Sequence, residues 1–220
     1  MKHVKSDHST SGSKLLEADV DVIQNKNLVE ERRDQLLDAA QDLFMEKGFA
    51  STTIRNICGR SGVNQASIYD YVLNKHDILR RLLNRIWFRI SPRLEDLLID
   101  EARKSLREIL KTYYGSCWKK KRNGTILAYR SVHHLNEEDK KQLQDHERAM
   151  INALSLYLRS QCNLDKMDQR VEVIANFIIF ANAFGPMRDW LHREIESDLV
   201  LDTVVDGILA MVDQLSARKI

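Results

Sequence analysis

Apolar residues recur along this chain at intervals of three and four from about residue 28 to residue 215, the mark of helices that each bury one face. The first run covers residues 28–47, with Leu36, Ala40, Leu43 and Phe44 on one side. It ends at Gly48, and the cap candidates Thr52 and Thr53 come next. A short run over residues 53–58 precedes Gly62, which can turn the chain at positive φ. Asn64 then caps a second short helix expected to start at Gln65. Residues 75–90 carry Ile78, Leu79, Leu82, Leu83, Ile86 and Trp87 inward, and Ser91-Pro92 breaks that run. Beyond it lie a helix over 93–118, a charged turn at 119–124 and a helix over 125–135. Asn136-Glu137-Glu138-Asp139 starts another, running to about 161, because acidic residues in a first turn complement the helix dipole. The strongly apolar stretch 168–183 is interrupted at Gly185-Pro186 before residues 187–193, and Ser197 caps a final helix to about 215. No strand pattern longer than four residues is present, so the fold class is all-α.

The last helix is apolar around most of its girth, and such a helix must be buried on two sides. One side faces its own domain. The other, through Val204, Ile208, Met211 and Leu215, is assigned to a second copy, two helices from each chain forming a four-helix interface. The expected partner is therefore the chain itself, as a homodimer.

Two short helices joined by a glycine turn form a helix-turn-helix, whose second helix enters a DNA major groove. The net charge of the 220 residues is only +2, but between Thr53 and Arg93 eight basic residues stand against two acidic ones. A positive zone on an otherwise balanced chain is the expected footprint of phosphate contact. Other features exclude other classes. Cys58, Cys117 and Cys162 form no CxxC pair and suit a reducing, cytoplasmic setting; no metal site and no cofactor are expected. No stretch has the roughly 18 apolar residues needed to cross a bilayer, so no membrane partner is expected. No glycine-rich phosphate loop, nucleophile elbow or acid–base pair points to catalysis, and an all-helical enzyme is the remote alternative.

The string Gly48-Phe49-x-x-Thr52-Thr53-Ile54-Arg55-x-Ile57, then Gly62-Val63, then Ile68-Tyr69-x-Tyr71-x-x-Asn74-Lys75-x-x-Ile78-Leu79, resembles the TetR family of bacterial transcriptional regulators. The motif resemblance covers about residues 30–90. It implies a three-helix DNA-binding head on a larger helical domain that binds an effector and dimerises. The corresponding division is a flexible arm over 1–29, the head over 30–75 and the effector and dimerisation domain over 76–220. Carried onto matching positions, Arg55, Gln65, Ala66 and Ser67 are expected to meet bases. Gln65 suits adenine and the small residues suit thymine methyls. Thr53, Tyr69, Tyr71 and Lys75 are expected to hold phosphates; packing is the alternative for Tyr71, and a solvated residue the alternative for Arg55. The implied DNA partner is a double-stranded, palindromic operator.

Within 93–193, Tyr114, Trp118, Tyr129, His133, Phe180, Phe184 and Trp190 are candidates to line an effector pocket. The run Lys119-Lys120-Lys121-Arg122 beside Trp118 suggests an acyl-coenzyme A, and an apolar small molecule is the other class. A dimer that binds DNA constitutively, with no ligand, remains the alternative. Asp70, a carboxylate near phosphates, and Gly59, inside a helix, fit neither reading.

Overall fold

The computed structural model describes residues 14–19, 25–89, 93–99, 105–162, 164–165 and 167–217. Among them are ten α-helices and no strand. The first three elements form the head. Helix α1 (Lys26–Ser51) is capped by the Asn25 side chain and kinks at Gly48, whose φ of 83° only glycine takes without strain. Helix α2 (Ile54–Ser61) opens with a reciprocal Thr53–Asn56 capping box and closes at Gly62, φ 73°.

The segment beyond Gly62 departs from the expected α-helix. The Asn64 side chain accepts the Ala66 N–H at 2.9 Å, and Ser67 N–H and Asp70 N–H each bond three residues back. The chain is therefore wound into turns and a 3₁₀ helix at Ile68–Asp70. The local Asn64 bond competes with the i→i−4 ladder at the point where an α-helix would nucleate.

Helix α3 (Lys75–Asn84), capped by Asn74, continues into π-helical geometry at Arg85–Arg89 and leads from the head into the body. The body comprises α4 (Leu94–Ile99), α5 (Leu106–Gly115) with a π-helical end at Ser116–Lys120, and α6 (Arg122–Ser131). It continues with α7 (Glu137–Cys162), α8 (Arg170–Ala181), α9 (Phe184–Arg188) and α10 (Ser197–Ala217). The single helix expected over 93–118 is two, because Ser105 and Glu108 form a second capping box that starts α5 afresh. The break at Ser91-Pro92 lies outside the described residues.

Two apolar cores are present. One joins the head to Ile86, Leu127, Ala128, Leu135 and Leu143, so α6 and the start of α7 pack into the same core as α1 and α3. The other fills the body between α4, α5, α7, α8 and α10. The division expected at 75/76 thus cuts through a shared core.

Residues 14–19, expected within a flexible arm, are docked on α3. Leu15 is buried, its N–H donates to Asn84 Oδ1 at 2.9 Å, and Asn84 Nδ2 donates back to the Leu15 carbonyl at 2.9 Å. Ala18 N–H donates to Asp77 at 2.9 Å, while Arg81 reaches the Glu17 carboxylate and the Ala18 carbonyl. Asp77, Arg81 and Asn84, one polar stripe of α3, are buried beneath this strap. The rest of the arm, up to residue 24, lies outside the described residues.

Candidate nucleic-acid interface and effector cavity

The surface beyond Gly62 presents Gln65, Ala66 and Tyr69 to solvent, with Ser67 half-buried beside them, and Thr53 and Arg55 are exposed at the start of α2. The helix-turn-helix packing places these six side chains on the two short elements of the motif. Tyr71 is 8% exposed and belongs to the core of the head, where its carbonyl accepts from Arg33 at 2.8 Å. Its ring is spent on packing, so it leaves the phosphate-facing set.

Lys75 has a different occupation from the one expected. Its ammonium donates to the Phe49 and Thr52 carbonyls at 2.8 Å each and to Ala50 at 3.4 Å, and it lies 4.4 Å from the centre of the Phe49 ring. It caps the C-terminal end of α1, where exposed carbonyls favour a cation. Three donors meet three carbonyls, and burial pulls its pKa down. In this conformation Lys75 holds the head together.

The basic zone is largely neutralised. Arg60 is paired with Glu46, Arg80 with Asp139, Arg81 with Asp77 and Glu17, Arg85 with Asp38, and Arg93 with Asp96. Five of the eight basic residues between Thr53 and Arg93 are therefore committed to carboxylates, and the charge count overstated the electrostatic footprint. Arg55 stands exposed, and Lys47, from α1, is exposed with its ammonium 2.7 Å from Asn56.

A cavity of about 110 Å³ opens where α3 enters the body. Its walls include Ile86 and Trp87 from the π-helical end of α3, Tyr113 and Cys117 from α5, Lys121, Thr125 and Tyr129 around α6, His146 and Glu147 from α7, and Asn182 after α8. Of the seven pocket candidates, only Tyr129 lines it, and burial raises the Tyr129 pKa to about 12. Tyr114 is fully buried and donates to the Ile178 carbonyl at 2.7 Å, so it is core. Trp118 donates to the Asn182 carbonyl at 2.9 Å, packs closely against Gly185 and lines a separate surface pocket. His133 is exposed, its ring tilted against that of His134 with centroids 3.9 Å apart, and it does not line the cavity. Phe180, Phe184 and Trp190 are on the outer surface.

The cluster over 119–122 is split. Lys119 pairs with Asp198 and Arg122 with Asp189, while Lys121 turns inward to the cavity wall. Two of its cations are therefore paired with carboxylates outside the cavity.

The expected dimer residues fall on two stripes of α10. Ile208 and Leu215 are 1% and 3% exposed, in the core of their own subunit with Leu201, Val205 and Val212. Val204 and Met211 lie on the outer stripe, in a groove of about 610 Å³ shared with Phe177, Phe180, Phe184 and Met187. Helical spacing places Val173, Phe177 and Phe180 along one side of α8, and all three are exposed. The sequence pattern recognised a two-sided helix but mixed its two faces.

Among the described residues no group of His, Cys, Asp and Glu is placed to hold a metal ion, and no helix is long and apolar enough to cross a membrane. Residues 36–82 match the family model described as bacterial regulatory proteins, tetR family. The HTH-type transcriptional regulator HbdR of Aromatoleum sp. (strain CIB) is 26% identical over 204 residues, covering 90% of this chain and 86% of that protein. The fatty acid metabolism regulator protein of Bacillus subtilis (strain 168) is 23% identical over 183 residues, 79% of this chain and 94% of its own length. A TetR-like transcriptional regulator from Rhodococcus sp. RHA1 shares the fold with a TM-score of 0.63 at 23% identity, covering 86% of this chain and 97% of that one.

Proposed function

The chain belongs to the TetR family of bacterial regulatory proteins, and from that premise we propose that this DNA-binding transcriptional regulator is a homodimeric repressor released from its operator by a small molecule. One observation carries the reading. Helix α3 starts under the DNA-facing turn and ends with Ile86 and Trp87 in the wall of the body's cavity. A molecule filling that cavity bears directly on the element that positions the head. It relieves repression only by binding the DNA-free arrangement more tightly than the DNA-bound one.

Several contacts support transmission along this route. Arg80 is tied to Asp139 at the start of α7 at 2.8 Å. Gly124 of α6 lies so close to Ile86 that a β-carbon there would stand 3.0 Å from its side chain. The arrangement leaves α3 little freedom to move without α6 and α7. In this reading Arg55, Gln65, Ala66 and Ser67 read bases, Thr53 and Tyr69 hold phosphates, and a second copy covers the aromatic face of α8 and α10. The two heads then read two halves of a palindromic operator.

The test is binding of the protein to the DNA upstream of its own gene, then a screen of small molecules for release, with tryptophan fluorescence recorded in parallel. Release by a compound that also changes the fluorescence is the expected result. A DNA complex that no cavity-binding compound dissociates would leave the constitutive DNA binder as the correct reading.

A further inference from the structure

Gly115 sits where α5 runs into its π-helical end, in ordinary helical geometry with φ −56° and ψ −39°. Neither a positive φ nor a close neighbour calls for glycine there, since a β-carbon would meet nothing within 4 Å. Inside a helix a glycine costs about 1 kcal/mol relative to alanine. The open space beside it belongs to a pocket of about 310 Å³ that shares no lining residue with the cavity at the end of α3. Gly115, Trp118, Lys119 and Arg122, spaced as one stripe of the helix, form its first wall.

The second wall comes from α9, the segment after it and the first turns of α10. Pro186, Ile195, Val200 and Leu201 give this wall its apolar surface, and Trp118 faces the same space from the first. The indole is held in place, its N–H on the Asn182 carbonyl at 2.9 Å and its ring packed on Gly185. The charges around the pocket do not balance. Lys119 pairs with Asp198 at 3.1 Å and Arg122 with Asp189. Arg193 lines the same pocket from an exposed position and has no carboxylate partner among the described residues. Three cations therefore stand beside two carboxylates, and the uncommitted charge is the Arg193 guanidinium.

We propose that this pocket binds a compact monocarboxylate, its apolar body in the space beside Gly115, against Trp118, Val200 and Leu201, and its carboxylate on Arg193. The planar fork of an arginine matches a carboxylate with two parallel hydrogen bonds. One free cation suits one carboxylate better than a polyphosphate. The volume is about twice the roughly 150 Å³ of an apolar cavity that holds benzene, so a single ring on a short linker fits. No residue of α3 lines this pocket, so the site does not rest on release of DNA by a cavity-bound molecule, and either can hold without the other.

Calorimetric titration of the intact protein with four probes tests the site: 3-cyclohexylpropanoate, 3-cyclohexylpropan-1-ol, 3-cyclohexylpropan-1-amine and acetate. The cyclohexyl acid should bind best, with the alcohol about tenfold weaker for loss of a charge-assisted contact to an exposed arginine. The amine should be weaker still, and acetate, which has no apolar body, should give no heat at the same concentrations. Arg193→Leu should bring the acid down to the level of the alcohol. Gly115→Leu fills the space from an unstrained helical backbone, so it should abolish binding of the acid with a thermal midpoint no lower than that of the unaltered protein. Acid binding that survives Gly115→Leu would put the ligand elsewhere and overturn the site. Equal binding of acid and alcohol, or a preference for acid that survives Arg193→Leu, would overturn the ligand class. No binding of acid or alcohol at millimolar concentration would remove the proposal altogether and leave the repressor reading untouched.

Discussion

Lys75 shows how one side chain changes meaning between a motif and a structure. At the start of a helix, beside a DNA-reading turn, a lysine reads as a phosphate ligand. In the folded head its ammonium closes the carbonyl end of α1. Replacing it with methionine should keep the stem's packing and remove two short charge-assisted hydrogen bonds, costing about 1–3 kcal/mol of stability by urea unfolding. Operator affinity should fall only as far as the head loosens, with base preference unchanged. An unchanged unfolding midpoint, together with a salt dependence reduced by two contacts per dimer, would return Lys75 to the phosphate set. Gln65 is the contrasting case. It is exposed, and nothing in the fold requires it. Gln65→Ala should leave stability within about 0.5 kcal/mol and relax discrimination at one base pair per half-site by about 1–3 kcal/mol, measured by competition among operator variants. Gly59 is exposed with open space around it, and nothing in the structure explains it.

At the level of elements, the apolar period gave the helices well where each buries one continuous stripe. α3, α7 and α10 lie close to their expected spans for that reason. The failures have local or distant causes. The capping box Ser105-x-x-Glu108 was legible but was overrun by a longer periodic pattern. The turn after Gly62 was legible as a turn, yet its 3₁₀ winding depends on a side-chain bond from Asn64 that propensity does not weigh. The strap over 14–19 was invisible, because its register is set by Asp77, Arg81 and Asn84, about 60 to 70 residues away. Those three residues alternate in α3 with the buried apolar Ile78, Leu79, Leu82 and Leu83, and their spacing at 77, 81 and 84 along one side of the helix is the hint the sequence offers. Removing residues 1–19 should expose that stripe and strip hydrogen bonds from a buried ion pair. The expected loss is about 2–4 kcal/mol, seen as a lower thermal midpoint, with Leu15→Asp producing most of it in the full chain. A truncated protein as stable as the full one would mean the strap contributes no net energy. In α9, Gly185 has no room for a side chain, since a β-carbon would fall 2.2 Å from the Trp118 ring. Gly185→Val should displace that indole, destabilise the body by about 1–3 kcal/mol and shift the tryptophan emission maximum.

For the whole molecule, the decisive quantities are which charges stay free and which faces stay uncovered, and sequence patterns register both poorly. Arg80 and Asp139 are 59 positions apart, so a charge count over one segment could not foresee that they neutralise each other. With Arg60 paired, Lys75 used as a cap and Arg55 assigned to bases, Lys47 is the cation best placed for phosphates, which makes about two contacts per dimer. The logarithm of the association constant should then fall with that of salt concentration at a slope near −2, not the −7 or steeper that eight contacts would give. A steep slope would show that ion pairs of the free protein open on DNA. The uncovered face is the other global property. Val173, Phe177 and Phe180 of α8 stand 70%, 47% and 60% exposed beside Val204 and Met211 of α10, and a contiguous apolar patch of this kind marks an interface. The occupant we propose for this helical face, in line with the two half-sites of the proposed operator, is a second copy packed about a two-fold axis. Substituting Ile208 would not test this, because a charge at a position 1% exposed unfolds the subunit that carries it. Phe177→Asp does test it, since the ring already faces water in the single chain and the fold loses little. That variant should elute as a folded monomer with unchanged helical content, and its operator affinity should drop by at least about 100-fold, as each head alone grips one half-site. Light scattering that finds the unaltered protein monomeric at micromolar concentration, or Phe177→Asp still dimeric, would place the interface elsewhere or remove it.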